Sequence, residues 1–329
     1  MKRFYDSFII HPNEALKKDQ TPYKVFTPFY KSLNIIWESL HIQEFSQNEN
    51  LKLIDFDYSK HISLENMNFE EQKLPSFLYK TAKEVLEDFI PKLHDYQKAR
   101  DFFHLNGTSN LAVHLRFGLI SPREAFNIVR SYNDSEFFIR ELFWREFYNY
   151  ILYHFPKSEF DNFNQKQIMW NHDKENFTKW CEGKTGVPII DAAMQHLNKT
   201  GMMHNRLRMI VASFLTKNLF LPWQWGEEYF ALKLLDFEKS SNVGSWQWGA
   251  STGADSVPYF RVFNPYSQSE KFDKEGIFIK SVLKELKDSD AKLFHKENGL
   301  AKDIFLNYPL SIVDIKKSRQ EAIDKFAKA

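Results

Sequence analysis

The sequence predicts an all-α protein in which many helices pack around a large core. Apolar residues recur at helical spacing along most of the 329-residue chain, and no series of alternating strands interrupts them. Three of the helical segments have a proline near their start, Pro75, Pro122 and Pro188. The first turn of a helix accepts proline because its N–H groups have no partner within the helix.

The helical pattern places the elements in order along the chain. It predicts helices over residues 28–40, 75–93, 110–117, 122–131, 135–155, 188–199 and 202–220. Residues 311–329 mix Lys with Glu and Asp around spaced apolar side chains, which predicts a terminal amphipathic helix docked on the body of the protein.

Residues 236–268 contain a Trp-Gln-Trp group but no sustained apolar period of either the helical or the strand type. This pattern predicts a long ordered loop, and ordered loops of this length commonly build a binding site. The alternative is a disordered insertion, which the many aromatic residues of the segment oppose.

Composition excludes several classes of function. The net charge of +1 gives no global attraction to nucleic acid, so an anionic partner needs a local basic patch. A single cysteine, Cys181, excludes an intramolecular disulfide and a thiolate zinc cluster, and favours the cytoplasm. We expect no metal site, no secretory leader and no membrane span. Because GxGxxG and GxxxxGK[ST] are both missing, a Rossmann or P-loop nucleotide site is not expected.

The segment Asn106-Gly-Thr-Ser-Asn110 precedes a predicted helix. Thr108 or Ser109 would cap that helix, whose free N–H groups and positive dipole end favour an anion such as phosphate. Many Ser and Thr caps bind nothing, so an ordinary cap remains the alternative.

Polar residues interrupt two strongly apolar helices. Glu141 and Arg145 flank Trp144 and are spaced for an i,i+4 ion pair, and buried polar groups need such a partner or a ligand. Further on, residues 204–208 are all polar except Leu207, and Asp236 is an available partner for Arg208. In both helices a purely structural pairing remains the alternative.

Tryptophan is concentrated in the second half of the chain, where seven of the eight lie between Trp144 and Trp248. Taken by themselves, Trp170, Trp223 and Trp246 are expected to be packing residues of the core.

Several segments together resemble the flavin domain of the DNA photolyase and cryptochrome family. They are TPYKVFTPF at 21–29, NGTSN at 106–110, ELFWREFY at 141–148, GKTGVPIIDAAM at 183–194, GMMHNRLRMIVASFL at 201–215 and the SWQWGAS…PYFRVFNP stretch. Among family members, class I cyclobutane pyrimidine dimer photolyases are the most similar. The resemblance implies a helical domain at 21–315 that binds one FAD in a U shape, a C-terminal helical tail at 316–329, and a remnant of an antenna domain and its linker at 1–20.

The resemblance also implies roles for individual residues around the flavin. The positions that match FAD contacts are Tyr96, Thr108, Ser109, Asn110, Leu111, Ala112, Arg145, Arg208, Asp236, Glu238 and Asn242. Asn242 matches the residue that faces flavin N5. The positions that match a chain of electron carriers to the flavin are Trp246, Trp223 and Trp170.

A further set matches positions that bind the lesion in UV-damaged DNA. Its members are Glu141, Trp144, Asn205, Arg206, Met209, Trp248 and Gln268. Indole faces suit a flipped-out base pair, and Arg206 suits a phosphate. Relatives that repair the six-four photoproduct carry histidines in this pocket, whereas this chain has Asn205 and Met209, which favours the cyclobutane dimer.

The chain departs from the family pattern at four positions: Met202 replaces a Trp, Glu238 an Asp, Val243 an Asn and Ser245 a Gly. Family members begin with an α/β antenna domain, so we expect no antenna chromophore on this chain and leave room for a separately encoded antenna partner. We expect a monomer that repairs DNA in light. The alternatives are a cryptochrome-like photoreceptor and a truncated FAD-binding protein without repair activity.

Overall fold

The computed structural model describes residues 7–37, 62–63, 65–69, 74–302, 306 and 308–329. Apart from one antiparallel bridge between Leu16 and Pro22, the regular elements in these residues are helices. The α-helices are α1 Phe26–Trp37, α2 Ala82–Phe89, α3 Leu93–Ala99, α4 Ala112–Arg116, α5 Pro122–Val129, α6 Glu136–His154, α7 Lys174–Glu182, α8 Pro188–Thr200, α9 Asn205–Ser213, α10 Trp223–Lys233, α11 Lys239–Ala250, α12 Pro265–Phe272, α13 Ile277–Val282 and α14 Ile315–Ala327.

The first half of the chain packs around α6. This helix contacts α1, α3 and α5, and its buried residues include Phe143 and Phe147, which are both fully enclosed. Phe26 and Phe29 of α1 reach the same aromatic core, where Phe29 lies 5.3 Å from Phe147 between ring centroids. Large aromatic rings bury much apolar surface, so this cluster holds the N-terminal helices together.

The second half forms a separate core around α8. This helix begins at Pro188 and is capped after Thr200 by Gly201, which adopts the left-handed conformation that closes many helices. Its residues 188–194 are all buried, and it packs against α7, α9, α12 and α13. Helix α11 joins the two halves because it contacts α6 on one side and α9 and α10 on others.

Several predicted helices are confirmed with shifted ends. Helices α5, α6 and α8 begin and end within two residues of their predictions. Helix α1 begins at Phe26, and the predicted end of that helix lies outside the described residues. The prediction over 75–93 divides into α2 and two 3-10 turns, Ser76–Tyr79 before it and Ile90–Lys92 after it. The break occurs because Thr81 forms a capping box with Glu84 and so starts a new helix at Ala82. The prediction over 202–220 becomes α9 followed by a π-helical turn, Phe214–Asn218.

The prediction of a long loop over 236–268 is confirmed only for residues 251–264. Helix α11 occupies residues 239–250 and α12 occupies residues 265–272. Because α11 is enclosed by α6, α9 and α10, apolar and small residues lie on most of its faces and leave no amphipathic period. Helix α10 was also not predicted; it buries Trp223, Gly226 and Phe230 but exposes Leu232, so its pattern is not amphipathic either.

The terminal helix docks as predicted. Asp314 accepts a hydrogen bond from the Lys317 N–H and starts α14, and Phe326 near its end is fully buried. The Phe326 ring lies 5.8 Å from Trp170 and 5.6 Å from Phe220. Of the helices in the described residues, none combines the length and the apolar content of a membrane span.

Candidate functional site

Arg208 and Asp236 form the ion pair that the sequence predicted. The Arg208 Nη2 group donates to both carboxylate oxygens of Asp236, at 2.9 and 2.7 Å, and its Nε donates to the Met203 carbonyl at 2.9 Å. The Asp236 side chain is only 7% exposed. A carboxylate this deeply buried requires a cation, so the pair fixes the loop that precedes α11 against α9.

The N-terminal turn of α11 is capped by Glu238. Its carboxylate accepts hydrogen bonds from the Ser240 N–H at 3.0 Å and the Ser241 N–H at 2.8 Å. A carboxylate at this position satisfies free N–H groups and complements the positive end of the helix dipole. Glu238 therefore still caps the helix, although its side chain is one methylene longer than the Asp that the family pattern has at this position.

Asn242 lies one turn further along α11 and is buried. Its Nδ2 group donates to the Glu227 carbonyl oxygen at 3.0 Å and to Glu227 Oε1 at 2.9 Å. Both amide protons are thus used, and the carbonyl Oδ1 is the end that can accept a hydrogen bond from a ligand. Burial raises the pKa of Glu227, whose role the sequence did not predict.

Two of the family departures are explained by packing. Val243 is buried in the second core, and Ser245 bonds the hydroxyl of Tyr148 on α6. A Cβ atom at Gly244 would lie 2.1 Å from Tyr148 Cδ1, so the backbone of α11 approaches this ring too closely for any larger residue. Tyr148 therefore sets the contact between α6 and α11.

The predicted cap at Thr108 or Ser109 is wrong. Helix α4 begins at Ala112, and Leu111 is its N-cap without a side-chain hydrogen bond. Ser109 Oγ accepts from the Leu111 N–H at 3.3 Å, which closes a turn before the helix. Asn110 has φ of 56°, and this left-handed residue separates the turn from the helix.

The predicted ion pair between Glu141 and Arg145 is also wrong. Glu141 pairs with Arg100, which follows α3, while Arg145 Nη1 donates to the Ser7 carbonyl at 2.7 Å. The guanidinium carbon of Arg100 lies 5.7 Å from the ring centroid of Tyr96. Glu141 of α6 is therefore paired with the residue that caps the end of α3, a partner that no local sequence pattern indicated.

Arg206 pairs with the residue next to Arg100. Its Nη2 donates to Asp101 Oδ1 at 2.6 Å, and its guanidinium carbon lies 4.8 Å from the ring centroid of Phe272. The buried Nε of Arg206 has no partner. Since Arg100 and Asp101 are consecutive, they connect Glu141 at one end to Arg206 at the other, and we call these four residues the charged strip.

The remaining predicted lesion residues lie on helices that border the charged strip. Asn205 is exposed at the start of α9, and Met209 Sδ lies 3.7 Å from Arg206 Nη1. Trp144 on α6 stacks on Phe26 with 3.7 Å between centroids, so one indole face is covered. Trp248 on α11 and Gln268 on α12 are both half-buried.

The three predicted electron carriers differ in exposure. Trp246 is 2% exposed and Trp223 is fully buried, with its Nε1 donating to Asn162 Oδ1 at 2.9 Å. Trp170 is half-buried beneath Phe326 and is the outermost of the three. The core-packing role expected for these tryptophans is therefore confirmed for Trp246 and Trp223.

A family model described as the FAD-binding domain of DNA photolyase matches residues 138–328. The chain belongs to the DNA photolyase family. A deoxyribodipyrimidine photo-lyase of Alkalihalophilus pseudofirmus is 36% identical, over 98% of this chain and 71% of that relative. A bacterial class III photolyase of Agrobacterium tumefaciens has a solved structure that matches with a TM-score of 0.83 at 34% identity, over 98% of this chain and 72% of that one. A Synechocystis cryptochrome of known structure matches with a TM-score of 0.82 at 27% identity, over 98% of this chain and 72% of that one.

Membership of the photolyase family confirms the resemblance and the all-α class predicted from the sequence. The matched FAD-binding domain contains α7 to α14 and all but the first two residues of α6, together with Arg208, Asp236 and Asn242. In the part of this photolyase-family chain that the structure describes, no group of three His, Cys, Asp or Glu side chains is arranged to hold a metal ion.

Proposed function

We propose that this chain is a photolyase that uses light to repair cyclobutane pyrimidine dimers in DNA, as a monomer with one FAD. The observation that carries the proposal is the charged strip, which connects Glu141 to Arg206 on helices of an FAD-binding fold. A partly exposed strip that ends in a carboxylate and a guanidinium suits a ligand with both base edges and phosphate.

The buried polar groups beside α11 fit a flavin dinucleotide. Asn242 Oδ1 is left as an acceptor by the two hydrogen bonds that its Nδ2 makes to Glu227. Asp236, which bonds Arg208, lies two residues before Glu238, the cap of α11. When bound and reduced, FAD supplies a one-electron donor that blue light excites, and the protein holds and orients it.

The other residues that we assign to the flavin are the turn and helix start at 108–112, with Tyr96 on the neighbouring helix. In this turn the Leu111 N–H already donates to Ser109 Oγ. The other N–H groups of the turn are therefore the ones available to a phosphate. Arg145, which bonds the Ser7 carbonyl, serves the flavin in this proposal only by fixing α6. Trp170, Trp223 and Trp246 conduct electrons from the surface to the flavin.

The lesion residues act on a dinucleotide turned out of the DNA helix. The uncovered side of Trp144 and the indole of Trp248 provide faces for the two bases, while Glu141 and Asn205 bond base edges and Arg206 meets a phosphate. Flipping costs a few kcal/mol, and less for a damaged pair that stacks poorly. The lesion itself therefore contributes to selectivity.

The choice of a cyclobutane dimer rests on Asn205 and Met209. The α9 residues that border the strip are an amide and a thioether, neither of which exchanges protons near neutral pH. A cyclobutane dimer needs no proton transfer from the protein for its ring to open, so these residues suffice.

The proposal is tested with oligonucleotides that contain either a cyclobutane dimer or a six-four photoproduct, illuminated with protein whose flavin has been chemically reduced. We expect loss of the dimer only, and a large reduction in that rate for Glu141→Gln. Glu270→Gln, an exposed residue of α12, is the matched control and should repair as the unmodified protein does. Repair of the six-four product, or equal rates for both variants, would contradict the proposal.

A cryptochrome-like photoreceptor is the second candidate, because the Synechocystis cryptochrome has nearly the same fold as this chain. It predicts light-driven reduction of the flavin without loss of dimer. A truncated FAD-binding protein predicts neither reaction, and the same illuminated samples distinguish all three.

A further inference from the structure

The N-cap of α9 is a histidine that contacts the charged strip. His204 Nδ1 accepts a hydrogen bond from the Arg206 N–H at 3.1 Å. A ring nitrogen that accepts in this way carries no proton, so the proton of the neutral imidazole is on Nε2. Nε2 is buried against the Arg100 backbone, and among the described residues it has no well-formed hydrogen bond. His204 therefore lies against the backbone of two residues of the charged strip, Arg100 and Arg206.

The imidazole of His204 is uncharged at neutral pH. Burial lowers its pKa to about 4, and the charges of Arg206 and Arg208 act in the same direction, against the opposite effect of Asp101. The ring also packs edge-on against Phe103, with 5.5 Å between centroids. The cap thus brings a hydrogen-bond acceptor to the start of α9 without bringing a negative charge.

A carboxylate at this position would cap the helix but would also change the charge of the strip. Asp is among the preferred N-cap residues, and its charge complements the positive end of the helix dipole. In this chain Asp173 caps α7 and Asp314 caps α14. At position 204 the same carboxylate would stand within reach of the charges of Arg206 and Arg208. It would therefore compete with a phosphate for these guanidinium groups.

Arg206 already shares its charge with one carboxylate. Its Nη2 donates to Asp101 Oδ1 at 2.6 Å, whereas its Nη1 lies 3.7 Å from Met209 Sδ, which is only a weak acceptor. The Arg206 side chain is 21% exposed. Nη1 is therefore the end of the guanidinium that is left for a phosphate, and a second carboxylate would occupy it.

We propose that His204 is a positioning residue for the phosphate contact of Arg206: it caps α9 and holds Arg206 at the charged strip without adding a second carboxylate beside the guanidinium. The inference rests on the proposed binding of damaged DNA, in which Arg206 meets a phosphate. His204 itself does not touch the DNA. A neutral cap leaves both the guanidinium and the positive end of the helix dipole available to an anion.

The test compares His204→Asn with His204→Asp in the affinity for a dimer-containing oligonucleotide, measured over a range of salt concentrations. Both side chains cap a helix well, have nearly the same shape and lose the contact with Phe103, so the two variants differ in one negative charge. At low salt we expect the Asp variant to bind about tenfold more weakly than the Asn variant, with a salt slope smaller by about 0.9. Its melting temperature should equal or exceed that of the Asn variant, because the carboxylate complements the helix dipole.

Arg206→Ala provides the control background. In that background the difference between the Asn and Asp variants should fall to about threefold or less, because the charge at position 204 acts mainly through the missing guanidinium. The pair His204→Gln and His204→Glu repeats the comparison with longer side chains if either shorter variant fails to fold.

Equal affinities and salt slopes for the Asn and Asp variants would overturn the role of His204. So would a difference that persists undiminished in Arg206→Ala, or weaker binding by an Asp variant that also melts earlier, which would indicate a purely structural effect. An unmodified protein that does not bind the oligonucleotide, or whose salt slope is unchanged by Arg206→Ala alone, would overturn the proposed phosphate contact itself and the role of His204 with it. These last outcomes concern the proposed function, and the Asn and Asp pair is not needed to recognise them.

Discussion

Gly226→Ala tests whether the position of Trp246 is set by close packing. Gly226 lies on α10, where a Cβ atom would stand 2.2 Å from Trp246 Cη2 and 2.4 Å from its Cζ3. Ordinary carbon contacts are about 3.5–4.0 Å, so the added methyl group must displace the indole by about 1 Å. Overpacking of this kind costs about 1–3 kcal/mol, and alanine returns about 1 kcal/mol of helix propensity.

The net expectation is a loss of up to about 2 kcal/mol in the free energy of unfolding, towards the upper end because Trp246 is only 2% exposed and cannot move into solvent. We would measure thermal unfolding by circular dichroism, together with flavin photoreduction, which should slow as the indole shifts. Gly249→Ala is the matched control, since its Cβ would meet only Ala212 Cβ at 3.3 Å. If Gly226→Ala is as stable as the control and photoreduces normally, the packing argument is wrong.

Three other changes probe charge. Burial lowers the pKa of Lys217 to about 7. Between about pH 7 and 10 the unfolded chain therefore holds a proton on this amine that the folded chain has lost, and the free energy of unfolding should rise with pH in that range. Lys217→Met should remove that rise in melting temperature, and an unchanged slope would contradict the assignment. Asp236→Asn leaves Arg208 without its carboxylate and should lower the free energy of unfolding by about 2 kcal/mol. It should also lower the fraction of protein with bound flavin, measured by absorbance; an undiminished fraction would refute a binding role. Arg206→Ala should weaken DNA binding and reduce the salt slope by about 0.9 per lost phosphate contact. Lys179→Ala, which removes a lysine of α7 that is already paired with Glu175, should not; equal slopes would exclude the phosphate contact.

The helices that the sequence predicted well have a strong pattern or a clear start. Helix α8 begins at Pro188 and α5 at Pro122, and both were placed within two residues because proline suits the first turn. Helix α11 was missed because three other helices enclose it. Gly244 is required by the close approach of α11 to the Tyr148 ring, yet in the sequence the Gly and Ser residues of this helix resemble a loop.

The candidate site was predictable where charge compensation is unambiguous. The Arg208–Asp236 pair follows from the need of a buried guanidinium for a carboxylate. The partner of Glu141 was not predictable, because Arg100 lies 41 residues away in sequence and a nearer arginine had suitable helical spacing. The bond between Asn242 and Glu227 similarly depends on how α10 crosses α11, which no local pattern specifies.

The most direct test of the proposed function is repair of a thymine-dimer oligonucleotide by the purified, flavin-reduced protein under blue light, with a dark sample beside it. The charged strip and the flavin residues together predict loss of the dimer that requires both light and bound flavin. Dimer that persists under illumination, in protein that binds reduced flavin, would contradict the account.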